Sequence, residues 1–275
     1  MSDSPTIEDL RQALAAAEAQ HGLDHLETAH AAYRLAISRC HDGREGAAEA
    51  EILAMRAIDI YEHGPELHRP HLAGPLSMLA SFRDRQGRKS EAEAMLRRAI
   101  ELQWDEENDE DDMCSEDDLQ TLGIDLLEQS RYIEAAEFLN RALCVAERTW
   151  GVLHPHLRGH LRMLARAYVG LKRFDEAIEL MQRELASCIQ HFPDEIDARG
   201  ELLGEIATCQ ATAGHPEEAD ECLRKAHELR IQYDKELSRS TVSGRTAILS
   251  VSRWTISSNR RTLWPNARTS REPSP

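Results

Sequence analysis

Leu161-Arg162-Met163-Leu164-Ala165-Arg166-Ala167-Tyr168, followed by Glu176-Ala177-Ile178-Glu179-Leu180-Met181-Gln182-Arg183-Glu184, is the passage that decides the fold. Leu161, Leu164 and Ala165 stand at i, i+3 and i+4 and so share one stripe of a helix, here called helix A. Ala177 and Met181 begin a matching stripe on a second helix, helix B. Small residues where the helices cross let the backbones approach, so that large side chains of one fill grooves of the other. A single hairpin of this kind leaves its outer apolar faces bare.

The same pattern recurs along the chain. Glu49-Ala50, Glu91-Ala92, Glu134-Ala135, Glu176-Ala177 and Glu218-Ala219 open successive copies of helix B, spaced 42, 43, 42 and 42 residues apart. Four places on come Ala54, Leu96, Leu139, Met181 and Leu223, and three further Ala57, Ala99, Ala142, Glu184 and Ala226. Upstream, helix A carries Leu76, Leu79 and Ala80, then Leu119, Leu122 and Gly123, then Leu161, Leu164 and Ala165, then Leu203, Ile206 and Ala207. Stacked copies bury what one hairpin exposes. In the first copy the same count lands on Arg34 and Ser38, which reads as a degraded terminal repeat. Before it, Thr6 and Asp9 are spaced like a capping box ahead of an alanine-rich stretch.

These residues resemble the tetratricopeptide repeat family. Its leucine-glycine pair is met by Leu122-Gly123 and, with alanine, by Leu79-Ala80 and Leu164-Ala165; its following tyrosine is met by Tyr168. The period is longer than the family's usual length of about 34 residues, and Gly151-Val152-Leu153-His154-Pro155 is similar to the loop of kinesin light chain type repeats. Gly64 to Pro70 is a stretched version of that loop. The resemblance implies an all-α, right-handed solenoid of about five helix-turn-helix repeats with an N-terminal capping helix. The expected boundaries are 1–20 for the cap, 21–237 for the array and 238–275 for a tail.

The resemblance also implies what such an array does. Helix A residues would line a concave groove that holds a partner peptide or protein segment. Counting one and five places from the helix-A leucine gives the candidates Ser77, Ser81, Gln120, Ile124, Arg162, Arg166, Gly204 and Thr208, with Leu35 and Arg39 in the first copy. Kinesin light chain type repeats usually have asparagine at the first of these places; here Ser77, Gln120, Arg162 and Gly204 stand instead. Arg162 and Arg166, at i and i+4, suit a carboxylate-bearing partner, and equally an acid of the chain itself. The expected function is a cytoplasmic scaffold or adaptor. A sensor module that gates a separately encoded enzyme is the alternative.

Charge and composition narrow the field. The chain has 33 bases against 49 acids, a net charge of −16, the reverse of a nucleic-acid-binding surface. No apolar run approaches the roughly 18 residues of a membrane span, and the N-terminus has no secretory pattern. The six cysteines are scattered without a Cys-x-x-Cys pair, which fits reduced thiols better than a disulfide frame or zinc site. No phosphate-binding or nucleophile-elbow motif is present. No enzyme, cofactor or metal is therefore expected. His156 and His160 have metal-ligand spacing on a helix, but no glutamate follows His156, and His154-Pro155 already belongs to the loop motif.

Two segments stand outside the repeat. Ten of the fourteen residues 105–118 are acidic, which reads as a solvated loop rather than a calcium loop, since the glycine and closing glutamate of the latter are missing. After Leu237 come seven arginines and one acid, leaving a body of net charge −22. A functional basic tail and an out-of-frame product both fit its irregular, serine- and threonine-rich composition.

Overall fold

The computed structural model describes residues 5–65, 69, 71–103 and 115–242. Most of the acidic segment, part of the stretched loop at 66–70 and residues 243–275 of the tail lie outside them. The described residues form α1 (Ile7–His21), α2 (Leu26–Arg39), α3 (Gly43–His63), α4 (Ala73–Arg85), α5 (Lys89–Gln103) and α6 (Glu116–Glu128). They continue with α7 (Tyr132–Trp150), α8 (Arg158–Gly170), α9 (Phe174–His191), α10 (Ile196–Ala213) and α11 (Pro216–Val242). Among them there is no strand, and after α1 the helices pair as A and B in five copies, the all-α repeat array that the period predicts. The composition change at Leu237 falls inside α11, which runs on to Val242.

The chain divides into two compact units at Ser187 and Cys188. In the first, the predicted stripes form the core: Leu76, Leu79 and Ala80 of α4, Leu119 and Leu122 of α6, and Leu161, Leu164 and Ala165 of α8 are buried. So are Ala50, Ala54 and Ala57 of α3, Ala92, Leu96 and Ala99 of α5, and Ala135, Leu139 and Ala142 of α7. Gly123 shows why the crossing residue is small, because a Cβ there would meet Leu139 Cγ at 2.5 Å. The second unit, taken alone, packs Ile196, Leu203, Ile206 and Ala207 of α10 with Ala219 and Ala226 of α11.

Helix α1 starts as its sequence dictates. Thr6 Oγ1 accepts from the Asp9 amide at 3.2 Å and Asp9 Oδ2 accepts from the Thr6 amide at 2.9 Å, two otherwise orphaned donors satisfied reciprocally.

The first copy corrects the reading of a degraded repeat. Its buried stripe is Ala32, Leu35 and Ala36, two places earlier than the count from Ala50 assigns. The turns show where the register slips. A residue with positive φ closes helix A at Gly87 (76°), Ser130 (61°), Lys172 (61°) and Gly214 (96°), each seven places after the small crossing residue. Gly43 (φ 70°) stands seven places after Ala36, so helix A is intact. The two extra residues lie between Gly43 and Ala50, in a longer first turn of α3. Leu35, counted as a groove position, is only 2% exposed and belongs to the core.

A ladder of ion pairs runs along the B-type helices. Arg56, Arg98, Arg141 and Arg183 occupy one place, two after Ala54, Leu96, Leu139 and Met181. Arg56 Nη1 meets Glu18 of α1 at 2.5 Å, and Arg98 Nη1 meets Glu62 of α3 at 2.6 Å. Arg183 likewise pairs with Glu147 of α7. Arg56, Arg98 and Arg183 each reach back one copy, which sets α1 in the place of a helix B.

Candidate functional site

The outward residues of α4, α6 and α8 all lie in the first unit. On α4, Ser77 is half-buried, 3.0 Å from the Ala73 carbonyl and 2.5 Å from Asp118 Oδ2 of α6. Asp118 is 8% exposed, and burial raises its pKa above the ordinary carboxylate value. Ser77 has one hydrogen for the two acceptors, so the Ala73 carbonyl and Asp118 share it. Ser81, one turn on, is exposed and donates to the Ser77 carbonyl at 3.3 Å. On α6, Gln120 and Ile124 are half-buried, and a Cβ at Gly159 would lie 3.5 Å from Gln120 Nε2.

Helix α8 carries the charged part of this face. Arg162 Nη2 donates to Glu184 Oε1 at 2.6 Å. Glu184 stands on α9 at the place where the other four copies have alanine, and it is 1% exposed against 47% for the Arg162 side chain. Burial pushes its pKa up, against the pull of Arg162 and then Arg158. Its second oxygen, Oε2, is buried without a hydrogen-bond partner. Arg162 is thus anchored by an acid of its own repeat, while Arg166 is exposed and donates from Nη1 to the soft Met163 sulfur at 3.4 Å.

The remaining candidates stand apart. Arg39 is held by Glu49 Oε2 and Asp42 Oδ2, both at 2.7 Å, at the end of α2. Thr208 belongs to the second unit, where its hydroxyl donates to the Gly204 carbonyl at 2.9 Å. His154 does the local work its motif suggests: Nδ1 accepts from the His156 amide at 3.2 Å and shapes the turn before α8. Asp118 and Glu184 were missed in the sequence as parts of this face. Glu184 had a signal, a lone acid in a column of alanines; Asp118 had none, being one acid among many.

A family model of the tetratricopeptide repeat matches residues 115–190. No curated protein matches the chain in sequence. Among solved structures, BtubC (BKLC) from P. vanneervenii superposes with a TM-score of 0.57 at 18% identity, covering 83% of this chain and 91% of that one. The putative kinesin light chain TPR-like repeats of Podosopora anserina give 0.55 at 21% identity, over 76% of this chain and 98% of that one. YrrB, described as a TPR protein with an unusual peptide-binding site, gives 0.58 at 14% identity, covering 83% and 98%. These likenesses concern the fold.

Proposed function

We infer that this tetratricopeptide repeat protein is a protein-interaction scaffold that holds a segment of its partner against the outward face of α4, α6 and α8. The observation that carries the reading is the Arg162–Glu184 pair. A buried acid replaces alanine in one repeat only, and its effect is to hold a guanidinium at the surface beside the exposed Arg166. Burying an acid costs stability even when it is paired, and a binding surface gives that cost a use. The peptide-binding site named for YrrB supports the same use of the fold. Ser77 and Ser81 on α4 and Gln120 on α6 supply neutral hydrogen-bonding groups. The ligand that fits is a protein segment bearing an acidic side chain or a terminal carboxylate. Thr208 and Arg39 would contribute from separate surfaces. No described helix is long and apolar enough to cross a membrane, and the role proposed is cytoplasmic.

Capture from native lysate tests the reading. Arg162→Ala alone would orphan Glu184, so the informative variant replaces Arg162, Glu184 and Arg166 together with alanine. It should melt like the parent and lose a partner that the parent recovers, whereas Lys172→Ala should keep it. Retention of every partner by the triple variant would overturn the location.

A further inference from the structure

His156 and His160 are joined by a third group that lies a whole repeat upstream. Glu116, in the first turn of α6, sets Oε1 2.7 Å from His156 Nε2 and 2.7 Å from His160 Nε2. One ligand atom from each of the three residues lies within 4.8 Å of the others. The three are held from several sides. Ser115 caps α6 through its hydroxyl, His154 fixes the turn that carries His156, and Trp150 packs on the His154 and His156 rings at 5.1 Å. His160 is 2% exposed and Glu116 16%, while His156 is 45% exposed. The group therefore has a buried floor and one side open to water.

We propose that Glu116, His156 and His160 form a divalent-cation site of the zinc type, clipping α6 to α8 across successive repeats. Two imidazoles and a carboxylate are a ligand set that zinc takes, with the remaining position left to water. Bonds of about 2.1 Å to a tetrahedral ion would set neighbouring ligand atoms about 3.4 Å apart. The two contacts to Oε1 then open by about 0.7 Å, which small rotations of the exposed His156 ring and of the Glu116 carboxylate supply. The ion takes the place of the hydrogens between each Nε2 and the carboxylate oxygen, and each imidazole stays neutral by carrying its hydrogen on Nδ1. Because the carboxylate comes from one helix A and both imidazoles from the entry to the next, the metal would tie two copies together.

Dialysis of the full chain against a chelator, followed by zinc titration against a chromophoric competitor, tests the site. One equivalent of zinc should bind the parent, and cobalt in its place should give visible d–d absorption. His156→Ala and Glu116→Gln should each weaken zinc at least tenfold and abolish that absorption, with His63→Ala unchanged. Zinc should raise the melting temperature of the parent and leave that of His156→Ala where it was. Equal zinc affinity in the parent and in both variants would overturn the proposal and place the ion in the acidic segment; so would the absence of binding.

Discussion

At the scale of single residues, the pair Arg162–Glu184 sets opposite expectations for its two members. Arg162→Ala leaves a carboxylate in the core, and the loss should be about 1–3 kcal/mol in a chemical melt at pH 7. Glu184→Ala restores the residue of the other copies and frees a surface arginine, so stability should hold or rise. The dependence on pH follows from the sign of the shift. An acid whose folded pKa is raised costs stability while ionised, and the cost fades as pH falls through the folded value. The deficit of Arg162→Ala should therefore shrink between pH 7 and the ordinary glutamate value, the window over which Glu184 takes up its proton. A deficit that grew on acidification would mean that Glu184 is stabilised as the anion.

At the scale of elements, packing outweighs charge. Ala165 is 1% exposed at the crossing of α8, and Ala165→Glu should cost more than about 3 kcal/mol, since nothing there can pair the new acid. Arg183→Ala, which breaks a rung of the ladder between half-exposed partners, should cost less than about 1 kcal/mol. Equal losses in parallel denaturant titrations would contradict the register assigned to α8. The stripes that made this register legible, such as Leu161-Leu164-Ala165, work at short range, so the sequence displays them. The slip in the first copy was hidden because the count ran backwards from Ala50 across a turn with two more residues than its fellows. Glu116 was hidden for a related reason: it meets His156 and His160 across a distance of one repeat, beyond any local motif. The Arg56, Arg98, Arg141 and Arg183 column was open to view, but a column of charges reads as a solvated face until its partners are seen.

At the scale of the molecule, cohesion is nearest-neighbour. In the first unit the helices pack mainly on those next to them in sequence, with α6 on α8 as an exception. Stability then adds up copy by copy. Amide exchange should be graded, slowest in α6 and α7, which have neighbours on both sides, and faster in α1 and α2. In the second unit, α11 shows burial only at Ala219 and Ala226 among its described side chains, and its amides beyond Ala226 should exchange first. Uniform protection from α1 to α9 would indicate a single cooperative block instead.

The ladder of arginines has a further consequence, in how such a chain changes length over generations. Arg98 finds Glu62 and Arg183 finds Glu147 at one place, twelve after Ala50 and Ala135, whereas the second and fourth copies have Trp104 and Ile189 there. Loss of the second copy would leave Glu62 facing Arg141, whereas loss of the third would set Arg183 against the place of Trp104. Insertion of a few residues within a helix B breaks a rung at any of these junctions, since it carries one arginine out of reach while its acid stays behind. Copy number can thus change at some junctions and not at others, while copy length is held.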